Sequence, residues 1–362
     1  MTPPLRFHWS LSSVGDPTRR ARATTTISGT PIFDEYLEFA RQAEDCGIES
    51  LLMAFGFSRP DPIAWSVALG RWTDRIKFLV AVRSGITAPT YFVQQINTLS
   101  TLIGGRVTIN VVAGRVPDEQ RYYGDYLDHD ERYARTDEFW QICHALWRKD
   151  GPVDFSGKYY RVEGAILRTP FEAPGRTRPE IFLGGNSAQA DALAVRHADC
   201  LLTLPDTPRK MAARVGRIVA RGTEVGLLVS LIARPTHHEA VAAAEALIST
   251  AGDRSAVIHD ETRHRTDSVG YRSLYDRAIR ESSWRTPYLW TGAVPHFGPP
   301  AIALVGSPDE IAAALAEYHA IGVTQFLFMG YPDLPEMQFF GAEILPRVSA
   351  LAPAQARRPG PD

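Results

Sequence analysis

The chain has 362 residues, 44% of them hydrophobic and 22% charged, which excludes disordered, collagenous and disulfide-scaffold classes and leaves room for one large α/β barrel or a few smaller domains. With 39 Lys and Arg against 41 Asp and Glu the formal charge is −2, so no basic footprint points to nucleic acid or an anionic membrane as partner. Three distant cysteines, Cys46, Cys143 and Cys200, suit free thiols in a reducing compartment. There is no apolar leader and no run of about 18 apolar residues, so the expectation is a cytoplasmic protein without a membrane span.

LRFHWSLS (5–12) reads as a strand, FDEYLEFARQAEDCG (33–47) as an amphipathic helix stopped by Gly47, and SLLMA (50–54) as the next strand. The alternation continues with a helix in 60–73 and strand KFLVAVR (77–83), then a helix in 89–105 and strand VTINVVAG (107–114). A helix in 131–149 is followed by a hairpin-like excursion and strand EIFLGG (180–185). A helix in 186–198, strand CLLTL (200–204) and a helix in 208–222 lead to LLVSLIARP (227–235), an apolar run of the kind buried on both faces. Residues 237–252 are helical, and a last helix over 308–322, opened by Pro308 and acidic residues, feeds TQFLFMG (324–330).

About eight strands alternating with helices, with no GxGxxG break, predict a (β/α)8 TIM barrel with insertions, one domain over residues 1–350. Two stretches break the rhythm: a hairpin insertion at about 152–179, and a polar, aromatic segment at about 252–302 with no clear strand, expected to act as a lid. The Pro- and Ala-rich tail 351–362 is expected to fray.

In such a barrel the chemistry sits at the C-terminal ends of the strands, which here are apolar and aromatic with few charges. HExxH, GxSxG and P-loop motifs are absent, so zinc hydrolysis, serine acyl transfer and nucleotide hydrolysis lose their usual parts, and a cofactor enzyme fits better. In FLGGNSAQA, Gly184, Gly185, Asn186 and Ser187 stand where a strand turns into a helix, a place that cradles phosphate, although a plain turn with Ser187 as helix cap reads equally well. Asn110 is a polar group in the apolar run TINVVAG and can bond a cofactor ring edge or the neighbouring backbone. His129, Arg132 and Tyr133 open a helix, where they can meet an anion or simply form caps and surface pairs. The adjacent His237 and His238 point in different directions, and no metal is expected. Phe139, Trp140, Leu146 and Trp147 have the spacing of a core face.

Taken in order, KFLVAVRSGITAPT, GRVTINVVAG, LDHDERYARTDEF, VDFSGKYYRVEGA, IFLGGNS, RTDSVG, ALVGSPDEIAAALAEYHAIGVTQFLFMGYP and GAEILP resemble the bacterial luciferase-like flavin monooxygenases, and among them the FMNH2-dependent alkanesulfonate monooxygenases. The resemblance implies a barrel with a mobile insertion, reduced FMN supplied by a separate NAD(P)H-dependent flavin reductase, activation of O2 as a C4a-peroxyflavin, and a homo-oligomer, dimer or tetramer. On the same ground Asn110 is expected at the isoalloxazine with Met53, Ala54 and Glu119 near it, His129 and Tyr133 toward the phosphate, and Ser187 on the phosphate itself. Arg132 joins the cofactor set through its place at the helix start.

The departures concern the substrate. The alkanesulfonate enzymes carry a cysteine after the second strand, an arginine and a histidine on the seventh, and an arginine in the lid; this chain has Arg59-Pro60-Asp61-Pro62, Leu228 with Ser230, and Phe297 in those regions. Only Tyr331 is retained. Without the arginines an anionic head in an apolar pocket loses its charge-assisted bonds at a cost of several kcal/mol. The expected substrate is therefore a small organic molecule other than a simple alkanesulfonate, such as a biosynthetic or carrier-protein-tethered intermediate. Trp9, Phe55, Phe57, Leu228, Trp290, His296 and Phe297 are its expected lining, and Tyr331, Ser230 and His296 the expected catalytic groups. An F420-dependent hydride-transfer oxidoreductase and a non-catalytic flavin-binding barrel are the alternatives.

Overall fold

The computed structural model describes residues 3–11, 33–57, 59–114 and 116–351. In chain order the strands are β1 (Arg6–Leu11), β2 (Ser50–Met53), β3 (Lys77–Val82), β4 (Val107–Val111), β5 (Val153–Ser156) and β6 (Arg161–Ala165). They continue as β7 (Glu180–Gly184), β8 (Cys200–Thr203), β9 (Glu224–Ala233), β10 (Leu289–Trp290), β11 (Ala303–Gly306) and β12 (Val323–Gly330). β1 pairs in parallel with β2 on one side and β12 on the other; β2, β3, β4, β7, β8 and β9 follow in turn, and β9 meets β12 to close the ring. The result is a closed parallel barrel of eight strands with helices outside, a (β/α)8 TIM barrel.

Helices separate consecutive barrel strands because a parallel pair needs a crossover, and the sequence punctuates them clearly. Pro62, Pro89, Pro208 and Pro308 each open a helix, where a missing N–H costs nothing. Asp61, Asp128 and Ser187 cap the first turns of their helices through side-chain oxygens.

Alternation along each strand divides the apolar residues into two layers. Trp9, Leu11, Leu51, Met53, Val80, Val82, Ile109, Val111 and Phe328 pack outward against the helices in the main core. Leu52, Leu79, Ala81, Phe182, Cys200, Leu202 and Leu327 fill the barrel interior. Below that plug His8 lies between Ser50 (2.7 Å) and Gln325 (2.9 Å), and Arg6 binds Glu49 and Glu180, each at 2.6 Å, while Lys77 holds Glu49 at 2.8 Å. This charged floor closes the N-terminal end, the end whose residues serve stability in such barrels, and leaves the opposite mouth for chemistry.

Two features depart from the sequence reading. The helix expected to end at residue 252 runs from His237 to Arg265, and a second helix, Val269–Arg280, follows it, so the segment 252–302 is largely helical. A glycine inside a helix costs only about 1 kcal/mol relative to alanine, which does not suffice to end it, and the two helices are tied together, Arg263 reaching across to Asp276 at 2.8 Å. The same segment ends in the short antiparallel pair β10 and β11, and β11 adds to β9 beyond the point where β8 stops. At four residues β11 is too short to announce itself by periodicity. The stretch 152–179 contains the β5–β6 hairpin, and residues beyond Leu351, which include most of the expected fraying tail, lie outside the described residues. Among the described residues no helix is long and apolar enough to cross a membrane, and Cys46, Cys143 and Cys200 are free and buried.

Candidate active site

Three walls stand at the C-terminal mouth. The first is the turn after β7. A Cβ placed on Gly185 would lie 2.2 Å from the Cβ of Ala190, so the glycine is what lets the chain turn directly onto the helix Ala188–His197. Ser187 caps that helix, accepting from the Ala190 N–H at 3.1 Å, and shares a hydrogen bond with the Tyr133 hydroxyl. Burial pushes the Tyr133 phenol above its ordinary value, with the bond to Ser187 working the other way, so the hydroxyl remains a proton donor at neutral pH. His129 stacks on Tyr133 with ring centroids 5.0 Å apart.

The helix Val269–Arg280 brings its own N-terminus to the same turn. Ser268 caps it, and a Cβ on Gly270 would meet the Asn186 Cβ at 2.8 Å. Two helix N-termini therefore converge on Gly184–Ser187, and their free N–H groups and dipoles favour an anion there. Asn186 turns its side chain away, accepting from the Leu204 N–H at 3.2 Å and from the Thr203 hydroxyl. Arg214 braces the loop from behind by donating to Thr203 at 3.0 Å and the Gly185 carbonyl at 3.2 Å while paired with Asp191 at 2.6 Å.

Asn110 adjoins this wall on β4. It is buried, and its Oδ1 has no hydrogen-bond partner; the nearest neighbour of a Cβ built on Gly184 is that oxygen, at 3.8 Å. Arg132 has a different place. Its side chain, 2% exposed, donates to the carbonyls of Ala113 at 3.1 Å and Leu127 at 3.0 Å and pairs with Asp267 at 2.6 Å. All three nitrogens are committed to tying the segment before Ser268 onto the barrel.

The second wall lies over β2, β3 and β4. Arg83 pairs with Glu119 at 2.6 Å, and Glu119 also accepts the Phe57 N–H at 3.0 Å. The guanidinium carbon is 4.9 Å from the Phe55 ring and 6.0 Å from the Tyr123 ring, which in turn packs on Phe55 (5.4 Å) and Phe57 (5.5 Å). Phe57 itself is 57% exposed at the rim.

The third wall joins β9 and β12 to the 284–302 segment. Ser230 Oγ is 2.9 Å from the Pro300 carbonyl and 3.3 Å from the Tyr331 hydroxyl, and Phe297 faces Tyr331 with centroids 6.0 Å apart. Trp290, Phe297 and Tyr331 share one apolar cluster, and His296 neighbours Phe297 at 6.3 Å. Leu228 reaches the barrel interior.

The fold thus gathers Asn110, His129, Tyr133 and Gly184–Ser187 at one place, and Ser230, Trp290, His296, Phe297 and Tyr331 at another. Trp9 and Met53 face the helix layer instead. Trp9 is fully buried and donates to Asp333 at 3.3 Å, and the neighbouring Ser10 and Ala54 occupy the inward parity. Tyr123 and Arg214 carried no signal in the sequence; Arg83 stood directly after an apolar strand, and Asp267 and Gly270 within RTDSVG, with no individual role assigned to any of them. Among the described residues no cluster of three or more His, Cys, Asp or Glu is gathered for a metal.

The family model described as luciferase-like monooxygenase matches residues 5–325. The chain belongs to this family. Among solved structures it is similar to DmoA from Hyphomicrobium sulfonivorans (TM-score 0.75, 19% identity, 99% of this chain and 91% of that one). It is also similar to the EDTA monooxygenase EmoA from Chelativorans sp. BNC1 (0.73, 19%, 96% and 94%). An F420-dependent secondary alcohol dehydrogenase is similar as well (0.67, 18%, 96% and 99%). At these identities the likeness is one of fold.

Proposed function

We propose that the chain is a two-component monooxygenase that takes reduced FMN from a separate NAD(P)H-dependent reductase, uses O2 as co-substrate and oxygenates a small organic molecule. The observation that carries the reading is the paired helix N-termini at Gly184–Ser187 beside the orphaned Oδ1 of Asn110. A phosphate and a ring N–H are the two groups that this combination of donors and acceptor suits, and FMN has both. Backbone N–H groups of the turn, Ser187 and Tyr133 would hold the phosphate, and Asn110 would accept from the ring.

When bound, reduced FMN supplies the electrons for O2 activation. The chain's own contribution is to exclude water and to hold a proton. Phe55, Tyr123, Phe297 and Trp290 present apolar walls, which limit wasteful reaction with solvent. The Ser230 hydroxyl lies within donating distance of both the Pro300 carbonyl and the Tyr331 oxygen, which fixes the phenol, a proton carrier, at a defined place at the mouth. Leu228 and Phe297 offer no charge to a sulfonate, which supports a substrate other than a simple alkanesulfonate, including a carrier-bound one. The free buried thiols support a cytoplasmic setting, and a homo-oligomer is part of the same reading.

Two similar structures are F420 enzymes, an alcohol dehydrogenase and a tetrahydromethanopterin reductase, and they favour hydride transfer with F420 as the second reading. An anaerobic titration with reduced FMN and, separately, reduced F420, followed by oxygenated buffer, separates the two. Tight binding of reduced FMN with little H2O2 release supports the monooxygenase. Preference for F420 overturns it, and FMN binding with stoichiometric H2O2 and no product from any substrate would favour a non-catalytic flavin barrel.

A further inference from the structure

We propose that Arg83 grips the anionic pyrimidine edge of reduced FMN and so makes the site prefer the reduced over the oxidised cofactor, an assignment that rests on the FMN reading above. Residues 79 and 81 of β3 face the barrel interior, and the same parity carries Arg83 to the inner side of the mouth. Its side chain is 9% exposed, yet only Nη2 is used, by Glu119; Nε and Nη1 are buried without a partner. A guanidinium has five donors in a rigid fork, and native proteins seldom leave buried donors unmet. The plane is also fixed, by Phe55 and Tyr123, so the free donors keep one direction.

On the adjoining strand Asn110 stands opposite Ala81 in register, with an unmet acceptor. Unmet donors and an unmet acceptor on neighbouring strands complement a ring edge that offers an N–H beside carbonyl oxygens. The pyrimidine ring of flavin has that edge, and on reduction it gains negative charge at N1. Arginine is always charged, so its attraction acts selectively on the reduced form. Glu119 draws on the same cation from the other side and therefore competes with the cofactor.

The competition gives a test by sign. Dissociation constants for reduced FMN (anaerobic) and oxidised FMN are measured by titration of the wild-type chain and of Arg83→Met, Arg83→Lys and Glu119→Gln, with circular dichroism to verify folding. Arg83→Met is expected to weaken reduced FMN about tenfold to a hundredfold, the range of a charge-assisted hydrogen bond, and oxidised FMN by less than about threefold. Each tenfold change in the ratio lowers the midpoint potential of the bound flavin by about 30 mV. Arg83→Lys is expected to fall between, and Glu119→Gln to tighten the reduced form. Equal weakening of both redox forms, no change in Arg83→Met, or weakening in Glu119→Gln that matches Arg83→Met overturns the assignment, since a purely structural ion pair fails alike from either end. A wild-type chain that binds no reduced FMN overturns the FMN reading itself.

Discussion

Gly185→Ala tests the turn on which the proposed phosphate site depends. Its new methyl carbon would stand 2.2 Å from the Ala190 Cβ, against an ordinary carbon contact of about 3.5–4.0 Å, so the first turn of the helix has to retreat by about 1.3–1.8 Å. Overpacking of this kind costs about 1–3 kcal/mol, which lowers Tm by a few degrees. Because the moving turn carries Ser187, reduced FMN is expected to bind at least about tenfold more weakly, equivalent to about 1.4 kcal/mol. Gly184→Ala is the control. Its Cβ meets nothing closer than 3.8 Å, from Asn110 Oδ1 and the Val111 carbonyl, so Tm stays unchanged while the methyl crowds the mouth. Differential scanning calorimetry and anaerobic titration read both variants. A Gly185→Ala protein with wild-type Tm and binding, or a larger Tm loss in Gly184→Ala, refutes the geometry.

Ser187→Ala removes a helix cap and should cost about 1 kcal/mol of stability, and both it and Tyr133→Phe should weaken reduced FMN; unchanged titrations in both would place the phosphate elsewhere. Arg132→Met leaves Asp267 without its buried partner, a loss of about 3–5 kcal/mol, and should expose the 263–268 segment to trypsin; wild-type cleavage rates would show that the tether is idle. Glu336 is pushed by burial from its ordinary value of 4.5 up to about 7, against the pull of Arg234. The folded-state value is raised, so the group's contribution to stability is present below pH 4.5 and lost as pH rises through about 7. The Tm of Glu336→Gln relative to wild type should accordingly climb over that window, and a flat difference would refute the shift.

The order of strands and helices was legible because each signal is local. Strands buried on both faces read as short apolar runs, and prolines and glycines punctuate the helices between them. Gly184–Ser187 stood out for the same reason, since a glycine pair before a capping serine is a local pattern. Parity was harder. Trp9 and Met53 lie at the right ends of the right strands but face the helices, and only the closed barrel fixes which of two adjacent residues points inward.

The remaining decisions are non-local. Gly270 touches Asn186, Arg132 reaches Asp267, and β11 extends the edge of β9, all across long stretches of chain that no periodicity connects. The sequence by itself determined the alternating barrel and the glycine pair that turns β7 onto a serine-capped helix. The tertiary structure decided that Arg132 is spent on holding a segment in place while Arg83 keeps unmet donors. Whether a charge is free depends on its neighbours in space, and those neighbours are assembled only when the barrel closes.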